Sequence, residues 1–107
     1  MADPVLEEFL RLIAPVRGRI ARIILFGSRA RGQALPGSDY DILLVVDRRD
    51  PGLRKSIFSA VVEVELKFGA VISPKIYAQD DFARLLTIPT PFLKHVQQEG
   101  IDLDRAA

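Results

Sequence analysis

The chain has 107 residues, 49% of them hydrophobic and 27% charged, which is typical of one globular domain spanning residues 1–107. Its 15 basic and 14 acidic side chains give a net charge of +1, which excludes a generally polybasic nucleic-acid-binding or membrane-surface protein. The absence of cysteine excludes a thiolate nucleophile, and His95, the single histidine, excludes a multi-histidine metal site within one chain. No apolar run approaches the roughly 18 residues of a spanning helix and no signal-peptide pattern is present, so we expect a cytoplasmic protein.

The first third of the sequence predicts a helix, a strand and a second, shorter helix. Asp3-Pro4 is a typical helix start, and apolar residues then recur at helical spacing to about Ala14. Pro15–Gly18 breaks this helix, and the isoleucine-rich run Ile20–Phe26 follows as a buried strand. A short helix is predicted from Ser28 to about Gln33.

The middle of the chain predicts a turn, a strand and the longest helix. Leu35–Ser38 has the composition of a turn, and Asp41–Val46 is an apolar strand. We interpret Asp47–Gly52 as a polar loop. From Leu53 onward apolar residues recur about four positions apart, which predicts a helix that ends at Gly69.

The last third predicts a third strand and two helices. Val71–Tyr77 is interpreted as a strand, and Pro74 within it favours an edge position or a bulge. Asp80-Asp81 is expected to cap one helix, and Thr90-Pro91 to start another that ends at Gly100. Strands separated by helices indicate an α/β fold, with a small mixed sheet and helices mainly on one face.

The pair Gly27-Ser28 lies where the first predicted strand ends and the short predicted helix begins. Free backbone N–H groups at a helix start bind phosphate, glycine lets the ligand approach the backbone closely, and the Ser28 hydroxyl is a further donor. Taken alone, such a pair is more often an ordinary turn.

A pair of carboxylates, Asp39 and Asp41, stands at the head of the second strand, and their spacing places both on one face. Two carboxylates this close repel each other unless a cation lies between them, and oxygen ligands of this kind suit Mg²⁺ or Mn²⁺. Alone, this pair could equally be a helix cap or an exposed strand start. A phosphate-binding turn beside a metal-binding pair favours nucleotidyl transfer.

Three short segments, Gly27-Ser28, Arg31-Gly32 and Ser38–Asp41, resemble the signature of the minimal nucleotidyltransferases of the polymerase β-like superfamily. The resemblance covers nearly the whole chain and implies the polymerase β-like nucleotidyltransferase fold. It also implies dependence on Mg²⁺ (or Mn²⁺) and transfer of a nucleoside monophosphate from a nucleoside triphosphate, with ATP the expected donor, to a protein or small-molecule acceptor. Many such domains are the antitoxin of a toxin–antitoxin pair with a helical HEPN-domain protein, so a HEPN-type partner is a further expectation.

The resemblance also assigns roles to individual residues. Those implied to bind the nucleotide are Gly27, Ser28, Arg31 and Ser38. Those implied to bind the metal and to act in catalysis are Asp39 and Asp41. Among the neighbouring side chains, Arg29 is interpreted as solvated, Tyr40 as packed on the opposite face, and His95 as a surface or packing residue.

The sequence departs from this family on the third strand. Active members carry a third carboxylate there, which orients or deprotonates the attacking hydroxyl. Here the strand contains no acid; Ser73 is the expected occupant of that position, and Lys75 shares its face. Two interpretations therefore stay open: a Mg²⁺-dependent nucleotidyltransferase, or a weakly active or inactive nucleotide-binding module that docks on a partner. A homo-oligomer also stays open, and nothing indicates nucleic-acid or membrane binding.

Overall fold

A computed structural model describes residues 3–103, which form one mixed sheet of four strands together with four α-helices. In chain order these elements are α1 (Pro4–Ile13), β1 (Ile20–Phe26), β2 (Tyr40–Val46), α2 (Pro51–Phe68), β3 (Ile72–Ala78), α3 (Gln79–Leu85), α4 (Pro91–Glu99) and β4 (Ile101–Asp102). Within this described part of the chain, no helix is both long and apolar enough to cross a membrane.

The strand order in the sheet is β3-β2-β1-β4. β1 runs antiparallel to both β2 and β4, whereas β2 and β3 are parallel, with α2 as the crossover between them. The position of β3 at an edge agrees with the prediction from Pro74, because proline has no backbone N–H to donate to a neighbouring strand.

Local capping explains where the helices begin and end. The Asp3 carboxylate accepts the N–H of Val5 at 2.9 Å at the start of α1, and Asp50 accepts the N–H of Gly52 at 2.8 Å at the start of α2. α2 ends at Gly69, whose φ of 68° is left-handed, as the sequence predicted. Thr90 caps α4 through its hydroxyl.

Helices cover both faces of the sheet, two on each, whereas the sequence predicted helices mainly on one face; the larger core lies on one face only. α1 and α2 pack on one face, where the larger core includes Phe9, Ile42, Leu44, Ile57 and Val64, all fully buried. Such side chains each contribute roughly 1.5–3 kcal/mol of burial free energy. On the opposite face α3 and α4 enclose a smaller cluster, which includes Ile24, Leu43, Phe82, Leu93 and Val96.

Several local predictions were wrong. Ser28 to Gln33 forms hydrogen-bonded turns rather than a helix, because Gly32 adopts a φ of 71° and the N–H of Gln33 bonds to Ser28 O, which closes the segment after one turn. The residues after α1 form a 3₁₀-helix, Ala14–Arg19, instead of a plain break. Asp80-Asp81 lies inside the first turn of α3, and Ala78 occupies the cap position without a side-chain hydrogen bond.

The first half of the outer edge of β3 is protected from further pairing. Tyr40 N–H donates to Val71 O on the inner side, so the N–H of Ile72 points outward. That outward N–H donates to the Glu65 carboxylate of α2 at 3.1 Å. The next outward position is Pro74, which has no N–H to offer.

Candidate active site

The end of β1 and the beginning of β2 bring Gly27 and Asp41 into direct contact. Phe26 is paired with Asp41 across the two strands, so the next residue, Gly27, passes beneath the Asp41 side chain. A Cβ on residue 27 would lie 2.3 Å from Asp41 Oδ2, and the φ of this residue is 76°. Glycine is therefore required here both by the backbone conformation and by the position of the carboxylate.

The turn after Gly27 leaves two neighbouring N–H groups available. The N–H groups of Ala30 and Arg31 both donate to Gly27 O, at 3.1 and 3.2 Å. The N–H groups of Ser28 and Arg29 donate to no other backbone group within residues 3–103. Adjacent free N–H groups in a tight turn form a concave site for an anion. A pocket of about 300 Å³, lined by Phe26, Gly27, Pro91, Phe92 and His95, opens beside this turn.

Asp39, Asp41 and Ser73 lie on the same side of the sheet. Ser73 is the direct register partner of Asp41 in the parallel β2–β3 pair, so the two side chains share a face. The Ser73 hydroxyl donates to Asp39 Oδ2 at 3.4 Å. The resemblance to the minimal nucleotidyltransferases predicted a third carboxylate on this strand. Ser73 occupies that position, and its side chain faces Asp39 and Asp41.

The electrostatics of the pair match a site that is completed by a cation. Burial, followed by the charge of Asp39, raises the pKa of Asp41, and the charges of Lys75 and Arg31 only partly oppose this rise. Among the described residues no cluster of three or more His, Cys, Asp or Glu side chains forms a metal site. The two aspartates could supply two oxygen ligands to a divalent ion, whose remaining ligands would come from phosphate oxygens and water.

Arg29 makes two contacts beside Asp39 that the sequence did not predict. Its guanidinium lies 3.9 Å from the ring centroid of Tyr40, and its Nε donates to Ser38 O at 3.0 Å. These contacts are with the two neighbours of Asp39 in sequence, so they hold the start of β2 against the turn that follows Gly27. The expectation of a solvated Arg29 was wrong, because the stacking depends on the loop folding back, which local sequence does not reveal.

The packing of Tyr40 on the opposite face is confirmed. The side chain is only 4% exposed, and its hydroxyl donates to Asp3 Oδ2 at 2.8 Å, which ties β2 to the start of α1. Burial, more than the hydrogen bond to Asp3, raises the pKa of Tyr40. Ser38 closes the preceding turn, since its Oγ accepts the N–H of Leu35 at 2.9 Å.

Arg31 links the turn to α4. Its Nη1 lies 2.9 Å from Glu99 Oε2, and its Nε donates to Gln33 Oε1 at 3.0 Å. His95 is exposed, with Nδ1 3.9 Å from the same Glu99 oxygen, which agrees with a surface role. Arg31 thus stands near Asp41 but has a carboxylate partner in this structure.

A small mixed sheet in which a Gly-Ser turn meets two aspartates defines a polymerase β-like nucleotidyltransferase fold. The sequence agrees with this class, because residues 5–92 match the sequence profile of the nucleotidyltransferase domain family. The chain belongs to that family.

Two archaeal relatives match nearly the whole chain. Both are proteins of Methanocaldococcus jannaschii that are described as candidate protein adenylyltransferases. One is 32% identical over 102 residues, which covers 92% of this chain and 95% of the relative. The other is 33% identical over 99 residues, covering 92% and 93%. These matches support the assignment of this chain as a nucleotidyltransferase.

Solved structures show the same fold at low sequence identity. A chain of a toxin–antitoxin crystal structure with AMP-PNP is 19% identical and has a TM-score of 0.60, covering 92% of this chain and 71% of that chain. A chain of the Shewanella oneidensis structure of a tri-AMPylated HEPN toxin in complex with an MNT antitoxin has a TM-score of 0.53 at 16% identity, covering 92% and 68%. The resemblance to minimal nucleotidyltransferases is therefore confirmed at the level of the fold.

Proposed function

We propose that this protein is a Mg²⁺-dependent adenylyltransferase that binds ATP and transfers AMP to a hydroxyl group of a protein acceptor. The observation that carries the proposal is the contact between Gly27 and Asp41, which supports a carboxylate lying directly against the turn that we propose to bind phosphate. The description of both archaeal relatives as candidate protein adenylyltransferases supports the choice of donor and of acceptor class.

The proposed roles follow from the positions of the side chains. The Ser28 hydroxyl and the free N–H groups of the turn bind the triphosphate, and Arg31 joins them once it exchanges Glu99 for phosphate. Ser38 keeps its hydroxyl proton for donation to a phosphate oxygen, because Oγ serves only as an acceptor for Leu35.

The two aspartates are proposed to hold the divalent ion, Mg²⁺ or Mn²⁺, together with the phosphates. When bound, this ion neutralises phosphate charge and makes the α-phosphorus more electrophilic. Through their share of such an ion, Asp39 and Asp41 would position the α-phosphate relative to the Gly27 turn. The acceptor hydroxyl oxygen then attacks the α-phosphorus and releases its proton to water, while the bond to the pyrophosphate leaving group breaks.

We further propose that the acceptor is a helical HEPN-type partner and that the protein acts as its antitoxin. The support comes from proteins of the same fold: one solved neighbour is an MNT antitoxin in complex with a tri-AMPylated HEPN toxin. In that arrangement the partner, rather than this small sheet, supplies the surface that presents the acceptor hydroxyl.

A second candidate function is a nucleotide-dependent docking module with little or no turnover. One observation favours it: Ser73, which carries no charge at neutral pH, faces Asp39 and Asp41 where active family members have an acid. Both candidates predict binding of Mg²⁺-nucleotide, so they differ only in transfer.

Transfer is tested with ATP labelled at either the α- or the γ-phosphate. The purified protein is incubated with Mg²⁺, each label in turn and lysate of its own host, and proteins are separated and scored for label. Adenylyl transfer predicts label from the α-position only, and none with the Asp39→Asn, Asp41→Asn double variant. Binding of Mg²⁺-nucleotide without labelled product supports the docking module instead. Label from the γ-position contradicts the proposed reaction.

A further inference from the structure

Lys75 stands on the same face of the sheet as the two aspartates. Ser73 is the register partner of Asp41, and Lys75, two residues further along β3, pairs with Leu43. Because side chains alternate along a strand, Ser73 and Lys75 point to one side, and Ser73 is held at 3.4 Å from Asp39. Lys75 therefore extends from the same face of the sheet as Asp39 and Asp41.

Lys75 differs from the other cations around the site because no structural contact occupies it. Arg29 bonds to Ser38 and stacks on Tyr40, and Arg31 is paired with Glu99. Lys75 is exposed, and within residues 3–103 it forms no ion pair or hydrogen bond. Its charge nevertheless reaches the site, since it is the larger of the two charges that oppose the raised pKa of Asp41.

Charge balance then limits how many metal ions the site can hold. One divalent ion already neutralises the two carboxylates, Asp39 and Asp41. A second ion would need a further acid, but the structure places the neutral Ser73 at that position and a like charge, Lys75, beside it. Conversely, the remaining negative charge of a triphosphate suits the positively charged ammonium group of Lys75.

We propose that Lys75 is a nucleotide-binding residue that takes the place of a second divalent ion, so that the site holds one metal ion per nucleotide. This inference rests on the proposed function only in that the site must bind a metal–nucleotide complex. It requires no assumption about the acceptor or about the rate of transfer.

The number of ions is tested directly by titrating the protein with Mn²⁺ in the presence of excess AMP-PNP, with free Mn²⁺ measured by electron paramagnetic resonance. AMP-PNP without protein gives the background to be subtracted. We expect one protein-dependent Mn²⁺ per chain, and two would overturn the inference. The two proposals fail in different ways: a wild type that binds no Mn²⁺-nucleotide contradicts the proposed function itself, whereas two ions per chain contradict only the inference. Asp39→Asn, which loses a proposed metal ligand, is the control and should bind no protein-dependent Mn²⁺.

The role of Lys75 is tested by the affinity for Mn²⁺-AMP-PNP, measured by calorimetry. Lys75→Met should raise the dissociation constant about tenfold, and Lys75→Arg should restore much of the loss because it keeps the charge. The matched control is Lys55→Met, an exposed lysine of α2, the helix that packs on the other face; its affinity should stay within about twofold of the wild type. Equal affinities for Lys75→Met and Lys55→Met would overturn the inference.

Discussion

Gly27 lies directly beneath the carboxylate of Asp41, so close that a Cβ on residue 27 would be 2.3 Å from Asp41 Oδ2. From the sequence alone, this glycine was predicted only to bind phosphate. The structure adds that its missing side chain leaves the space in which Asp41 sits. The turn proposed to bind phosphate and the proposed metal ligand are therefore in direct contact, and a change in one displaces the other.

Gly27→Ala is expected to abolish binding of Mn²⁺-AMP-PNP and to destabilise the fold. The control is Gly69→Ala at the end of α2, which has a similar φ of 68° but no atom within 4 Å of the added Cβ. Both variants should lose about 1–2 kcal/mol from backbone strain, measured by urea denaturation. Only Gly27→Ala should lose binding in calorimetry. Binding that survives in Gly27→Ala would show that Asp41 is not held by this contact.

Asp41→Asn is expected to raise the melting temperature of the metal-free protein by a few degrees at pH 7. Burial and the charge of Asp39 raise the pKa of Asp41 in the folded protein above its value in the unfolded chain. The free energy of unfolding therefore falls as the pH rises from the pKa of the unfolded state through that of the folded state. The asparagine variant avoids this loss. At pH 4 or below the wild-type carboxyl is itself becoming protonated, so the difference should shrink.

Asp47→Asn is the control for this measurement, because its melting temperature should change in the opposite direction. The hydrogen bond from Arg19 lowers the pKa of Asp47, so its ionised form stabilises the fold above the unfolded pKa. Its replacement should lower the melting temperature at pH 7, in the same buffer with EDTA. Equal melting temperatures for Asp41→Asn and the wild type at pH 7 would show that burial and repulsion from Asp39 do not destabilise the ionised Asp41 carboxylate.

Glu99→Gln is expected to raise the affinity for Mn²⁺-AMP-PNP severalfold. In the wild type the Glu99 carboxylate lies 2.9 Å from Arg31 and competes with phosphate for the guanidinium, whereas glutamine carries no charge. Unfolding stability should change by less than about 1 kcal/mol, because the pair is partly exposed. If Arg31→Met combined with Glu99→Gln shows the same gain as Glu99→Gln alone, Arg31 is not the group that is released.

Tyr40→Phe and Arg29→Leu should differ in their effect on nucleotide affinity, although both should lower the free energy of unfolding. Tyr40→Phe removes the hydrogen bond to Asp3 but keeps the ring beneath Arg29, so it should cost about 1 kcal/mol and leave nucleotide affinity unchanged. Arg29→Leu removes both the stacking and the bond to Ser38, so it should cost about 2 kcal/mol and also weaken Mn²⁺-AMP-PNP binding. Denaturation and calorimetry on the same samples check both. Unchanged affinity in Arg29→Leu would contradict its positioning role.

Ser73→Asp is expected to raise any adenylyl transfer above the wild-type rate. The new carboxylate would stand beside Asp39 and Asp41 and could orient or deprotonate the acceptor hydroxyl. The assay is label transferred from α-labelled ATP, with Ser73→Asn as the uncharged control. A wild-type rate that already equals that of Ser73→Asp would show that two aspartates suffice for turnover.

Local patterns were enough to predict much of this fold. The long apolar runs predicted β1, β2 and β3, and Asp3-Pro4 and Thr90-Pro91 predicted two helix starts, because capping depends on neighbouring residues alone. β4 was missed, since two residues carry no periodicity and pair only because α4 returns the chain to β1. Tertiary placement likewise decides the pairing of Arg31 with Glu99, 68 residues away. The spacing of Asp39 and Asp41 predicted a shared face, but not the contact with Gly27.

The protected edge of β3 bears on how another protein can approach this one. With the Ile72 N–H bonded to Glu65 and no N–H on Pro74, the first half of the outer edge of β3 offers no backbone donor to an added strand. Self-association by strand addition, the usual route to aggregation of small sheets, is thereby disfavoured along this half of the edge. Recognition there must then come from side chains, which evolve one residue at a time, so its specificity can change while the backbone of the sheet stays the same.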